Sequence, residues 1–118
     1  MATARDVVTL AFRRASLLSL ADDLPAEDFA FGKTVLEAQV AEAAETWATD
    51  LMDGWLPDSI PAKATMGLSG LVAAETAPVM GGTPPEPRSR ALARLRAFLF
   101  PDDRDETPDD FDAASSYY

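Results

Sequence analysis

Leu36-Glu37-Ala38-Gln39-Val40-Ala41-Glu42-Ala43-Ala44-Glu45-Thr46-Trp47 decides the fold class. Leu36, Val40, Ala43, Trp47 and Leu51 recur at steps of four and three, the spacing that places side chains on one face of an α-helix. Glu37, Glu42, Glu45 and Asp50 fall on the wet positions between them. The pattern predicts one long helix over residues 26–52. Asp22-Asp23-Leu24-Pro25 breaks the chain before it, and Glu27 and Asp28 suit the positive end of the helix dipole. Phe29 and Phe31 stand at its start. Gly32 is a weak point, worth about 1 kcal/mol relative to Ala, and Gly54 is a natural stop.

Shorter helices are predicted on either side. Val7, Leu10, Ala11, Phe12, Ala15 and Leu18 predict a helix over 4–20, with Thr3 and Asp6 three residues apart as in a capping box. Arg13 and Arg14 lie in its C-terminal half, where cations suit the dipole. Trp55-Leu56-Pro57-Asp58-Ser59-Ile60-Pro61 reads as a tight connector. Asp58 or Ser59 is placed to cap a third helix over 60–77, with Pro61 in its first turn. Ala64, Leu68, Leu71 and Val72 would form its apolar side, while Gly67, Gly70, Ala73 and Ala74 make it thin enough for close packing. Pro78 and Gly81-Gly82 end it. Thr83 and Pro84 are placed to start a fourth helix carrying Ala91, Leu92, Leu95, Phe98 and Leu99. The expected fold is all-α: a small four-helix domain over 1–100 with a long second helix, then an extended acidic C-terminal tail over 101–118.

The 118 residues include no cysteine and no histidine. Disulfides, thiolate metal sites and the usual neutral-pH general base are therefore excluded. The acid pairs Asp22/Asp23, Asp102/Asp103 and Asp109/Asp110 match no calcium-loop pattern, and they read as solvated acids. Gly81-Gly82-Thr83 lacks the Gly-Lys-Ser/Thr ending of a phosphate loop and reads as a helix stop. Ser16, Ser69 and Ser89 have no histidine to activate them, and Lys33 and Lys63 could act as bases only if buried. The expectation is a chain without enzymatic activity, cofactor or metal. No segment approaches the roughly 18–20 apolar residues of a membrane span, and the start lacks the order of a secretory signal. A soluble, intracellular protein is expected.

Formal net charge is −10, which argues against free nucleic acid as a partner. The charge is uneven. Asp102, Asp103, Asp105, Glu106, Asp109, Asp110 and Asp112 face only Arg104 in the tail, for a net of −6 there. Five of the ten basic residues lie between Arg88 and Arg104. Arg88, Arg90, Arg94 and Arg96 admit three readings: a solvated face, an inter-subunit or partner patch, or the intrachain counterpart of the acids at 102–112. Trp47 and Trp55 read as core and corner packing rather than a ligand cage. Phe111, Tyr117 and Tyr118 sit in an aperiodic acidic segment with no core to join, so they are either partner-docking anchors or idle.

Several stretches carry a resemblance. Arg5-Asp6-Val7-Val8-Thr9-Leu10-Ala11-Phe12-Arg13-Arg14 opens the chain, and Leu24-Pro25-Ala26-Glu27-Asp28 leads into the long helix. Leu56-Pro57 precedes the third helix, and Leu71-Val72-Ala73-Ala74-Glu75-Thr76-Ala77-Pro78-Val79-Met80-Gly81 is similar to a Leu-Ala-x-x-Leu-Ala-Pro-x-x-Gly pattern. In this order, over about residues 4–100, the chain resembles the head-to-tail adaptor (connector, or head-completion) proteins of tailed bacteriophages and gene transfer agents. It departs from them at Glu45-Thr46-Trp47, where Leu-Asn is frequent, at Thr76, where an apolar residue is usual, and at Gly67 and Gly70.

The resemblance implies a structural virion protein of the phage neck, made in the host cytoplasm. It would form a homo-oligomeric ring, usually a dodecamer, between the portal protein and the tail or nozzle proteins. Genomic DNA would pass through without specific binding, and no membrane is involved. The C-terminal segment would reach the portal, making Phe111, Tyr117 and Tyr118 its docking residues. The rival expectation is a small acidic helical regulator or antitoxin-like binding protein, which would form a 1:1 or 2:2 complex rather than a ring. A third is a noncatalytic subunit of an enzyme.

Overall fold

A computed structural model describes residues 1–101. The predicted tail therefore lies, Pro101 apart, outside the described residues. Among those described are four α-helices and no strand: α1 (Ala4–Arg14), α2 (Ala26–Thr46), α3 (Thr65–Thr76) and α4 (Arg88–Leu99). A single 3-10 turn, Ala62–Ala64, precedes α3. The all-α fold with the second helix longest is as the sequence predicts.

The capping box at the start of α1 is present. Thr3 Oγ1 accepts from the Asp6 amide at 3.1 Å, and Asp6 Oδ2 accepts from the Thr3 amide at 2.9 Å. This satisfies two donors that the first turn of a helix leaves free.

Both of the first two helices end sooner than periodicity suggests. At α1, Ser16 takes φ 60°, the Leu17 amide donates to Phe12 O and the Ser16 amide to Arg13 O. At α2, Ala48 takes φ 50°, the Thr49 amide donates to Ala44 O and the Ala48 amide to Glu45 O. These are Schellman motifs, which satisfy the last carbonyls by turning one residue left-handed. Neither has the glycine that announces the motif, so the predicted ends at Leu20 and Met52 are corrected to Arg14 and Thr46. Leu51, predicted on the apolar stripe, is half exposed as a result. Leu36 and Ala43 are buried as expected.

The connector from 47 to 61 is tied to the N-terminus. Ala2 and Ile60 exchange amide–carbonyl bonds of 2.8 and 3.1 Å, and the Ala4 amide donates to Pro57 O. The Leu56–Pro57 peptide is cis. Neither Asp58 nor Ser59 caps the third helix: Pro61 is the N-cap position of the 3-10 turn, and Ala64 precedes α3 without a side-chain cap. Thr83 and Pro84 likewise do not start α4, whose N-cap position is Pro87. Prolines at 84, 85 and 87 disfavour helical geometry in the residues before them, and the chain bends at Pro85 and Glu86 before the helix begins at Arg88.

Helix α3 is the centre of the domain and packs on α1, α2 and α4. Leu68, Leu71, Val72 and Ala73 are fully buried. So is Thr76, whose hydroxyl donates to Val72 O at 2.9 Å; the polar atom is satisfied within the helix, which is how this residue stands where an apolar one would serve. Glycines make the close approaches. A Cβ on Gly67 would lie 3.1 Å from the Leu95 amide nitrogen, and one on Gly70 would lie 2.8 Å from Ala91 Cβ. The thin third helix predicted from sequence thus packs its glycine face on α4. Gly32 has the same purpose on α2, because the Val8 side chain of α1 occupies the space a Cβ would need.

Candidate functional site

Helix α4 carries the four arginines singled out in the sequence, and the structure divides them. Successive helical residues turn by about 100°, so Arg90 and Arg94 share one side while Arg88 and Arg96 fall elsewhere. They do not make one continuous face.

Arg88 turns inward at the helix start. Its Nε and Nη2 donate to Gln39 Oε1 at 3.1 and 2.9 Å, and it pairs with Glu42 at 3.4 Å and Glu75 at 3.8 Å. A cation at a helix N-terminus opposes the dipole, and these two carboxylates from α2 and α3 offset that. Arg88 therefore ties three helices together. Arg96 lies with its guanidinium 5.5 Å from the centre of the Phe100 ring, within cation–π range. Phe100 in turn meets Trp47 edge-on at 6.2 Å, and Phe98 meets Trp55 at 6.2 Å. The two tryptophans thus pack at the corner between the end of α4 and the connector after α2, as the sequence predicts.

Arg94 reaches Glu86, and this acid is what sequence reasoning missed. Glu86 is buried, and its Oε2 accepts from Arg94 Nη1 and from Arg14 Nη2, each at 3.0 Å. Arg14 Nη1 donates to Ser69 Oγ at 2.8 Å and to Met66 O at 3.1 Å, and Ser69 Oγ donates to Met66 O. Two cations around one carboxylate, with hydroxyl and carbonyl oxygens taking the spare donors, form a satisfied network. The absence of a side chain at Gly70 leaves the space that Glu86 Oε2 occupies. The network joins α1, α3 and α4 through residues far apart in sequence. Its one signal in the chain is an acid set among prolines, in Pro84-Pro85-Glu86-Pro87.

Arg90, on the same side as Arg94, is exposed. The two line an open groove with Lys63, floored by Ala93, Ala97 and Phe98 and ending at Pro101. The groove has three cationic side chains and no acidic one in its lining. It is suited to an extended anionic segment rather than to a small molecule held on all sides.

Phe111, Tyr117 and Tyr118 lie outside the described residues. Among the described residues no group of three or more potential ligands could hold a metal ion, and no helix is long and apolar enough to cross a membrane. No protein-family model, curated protein or solved structure matches the chain.

Proposed function

We propose that this chain is a head-to-tail adaptor of a tailed phage or gene transfer agent: a ring-forming structural part seated between the portal and the tail. The observation that supports this best is the stretch Leu71–Gly81, where the likeness to that family is strongest. It forms the second half of the innermost helix, where Leu71, Val72, Ala73, Thr76 and Ala77 are buried, and the exposed turn after it. The order of the four helices around it fits the same reading.

On this reading the chain has no catalytic task and functions by being placed. The net charge of −10 suits a conduit for DNA. A basic wall would hold the duplex through counterion release, whereas an acidic one repels it and lets it slide. Phe111, Tyr117 and Tyr118 would be the desolvated anchors of the tail on the portal, with tail or nozzle proteins on the opposite side of the ring.

Electron microscopy of the protein mixed with a portal protein from the same genome tests the proposal. A ring of density beneath the portal is expected. A discrete 1:1 or 2:2 complex with another protein, and no association with the portal, would replace this reading with that of a regulator.

A further inference from the structure

Helix α2 turns an acidic face to water. Glu27, Ala30, Glu37, Ala41 and Glu45 follow one another at helical spacing on the side opposite the buried Leu36 and Ala43, and all five are exposed. No exposed residue of this helix is basic, and Glu27, Glu37 and Glu45 have no basic partner among the described residues. The groove on α4 is the counterpart of this face. Lys63 and Arg90 are exposed and have no acidic partner among the described residues, and Arg94, although bonded to Glu86, keeps its side chain 41% exposed. Ala93 and Ala97 floor the groove, and alanines also form the middle of the acidic face, so two helices can approach closely there. We propose that the α4 groove of one copy of this chain receives the α2 face of a second copy.

The spacing of the charges agrees. Gly70 lies against Ala91 and Gly67 against Leu95, so α3 and α4 run antiparallel. Lys63, four residues before Gly67, therefore falls near the level of Phe98, at the far end of the groove from Arg90. Those two levels are eight helical residues apart, about 12 Å. Glu37 and Glu45 are also eight residues apart, with Ala41 midway between them. Both acids can thus meet Arg90 and Lys63 at once while Ala41 lies over the groove floor. Each copy carries −10, but the Debye length at physiological salt is about 8 Å, so charges farther off are largely screened while the paired faces are not.

The contact is heterologous. It leaves α2 of the first copy and α4 of the second free, so it repeats into a closed ring or an open filament. It rests on the two faces alone; under the adaptor reading it is the contact between ring neighbours. Its test omits the portal, so its failure is distinct from failure of that reading.

Light scattering of the full chain should show a mass that rises with concentration. The mass should return to that of a monomer at roughly 1 M salt, where the Debye length is about 3 Å. Lys63→Glu with Arg90→Glu should leave monomers, and so should Glu37→Lys with Glu45→Lys. Mixing these two double variants should restore association, because each like-charged clash becomes an opposite pair. Both variants remain net acidic, so overall charge does not draw them together. The absence of native cysteine adds a test with the native charges in place. Under oxidation, Ala41→Cys mixed with Ala97→Cys should link unlike chains severalfold more than either links with itself. A wild-type chain that stays monomeric at every concentration would overturn the proposal. So would association unchanged in either double variant, since something other than the α2 face would then occupy the groove. A mixture of variants that are each fully helical by circular dichroism yet do not associate counts against it equally, as does linking no greater in the mixture than in either chain alone.

Discussion

Glu86 Oε2 lies 3.0 Å from Arg14 Nη2, joining the connector before α4 to the end of α1 across 72 residues of sequence. The side chains are 6% and 17% exposed, so both groups have given up most of their hydration. Removing the acid alone leaves a largely buried guanidinium facing a void. Glu86→Ala should cost about 3 kcal/mol or more, read as a lower urea midpoint. Exchanging both partners, Arg14→Met with Glu86→Leu, should cost less than the sum of the single changes. Strict additivity would mean that the two do not stabilise one another.

Gly32 offers a test in which helix propensity and packing oppose each other. Alanine at this position gains about 1 kcal/mol of propensity. Its methyl group would, however, enter the space of the Val8 side chain, and overpacking costs about 1–3 kcal/mol. Gly32→Ala should be destabilising, and Val8→Ala introduced with it should recover part of the loss. A more stable single variant would show that α1 and α2 do not meet as described.

At Ala48 the expectation is the opposite. A left-handed alanine carries a strain of roughly 1–2 kcal/mol, partly countered by the greater freedom that glycine restores to the unfolded chain. Ala48→Gly should therefore raise stability by about 0.5–1 kcal/mol, and Ser16→Gly should act the same way. Thermal unfolding of the single variants and the pair measures this. A fall in melting temperature for both would contradict the two Schellman endings.

These sites mark where the sequence could and could not be read. The stripe Leu36, Val40 and Ala43, the Thr3–Asp6 box and the glycine face of the third helix were legible because each is local and periodic. The ends of α1 and α2 were not, since Ser16 and Ala48 stand where a glycine would have signalled the turn. Nor was the start of α4, where Thr83-Pro84 mimics a cap and the helix instead begins after Pro87. Of the candidate site, the arginines were recognisable as a group. Their division was not, because it depends on Gln39, Glu42, Glu75 and Glu86, brought together only by tertiary packing. Lys63 joins the groove for the same reason.

The protein should not bind duplex DNA appreciably, given its charge of −10 and the engagement of Arg88 and Arg94 with acids of the fold. A gel-shift titration at low salt tests this. Tight binding that weakens steeply with added salt would point instead to the groove of Lys63, Arg90 and Arg94 as a phosphate track.

If the adaptor proposal is right, Tyr117→Ala with Tyr118→Ala should weaken association with the portal severalfold while leaving helicity and unfolding temperature unchanged. Raised salt should slow association more than it speeds dissociation. Wild-type affinity in the doubly substituted chain would move the contact from the tail to the helices.

The central position of α3 also governs when the domain can be completed during synthesis. Chains leave the ribosome N-terminus first, and α3 emerges before α4, the helix that covers its Gly67 and Gly70 face. Until Leu95 and Ala91 have emerged, that face is open to water and Glu86 has no Arg94 to hold it. A nascent chain arrested with only residues up to Thr83 outside the tunnel should be cut readily by protease. One arrested with α4 fully outside should resist. The last helix made among the described residues is thus the one that closes the first three.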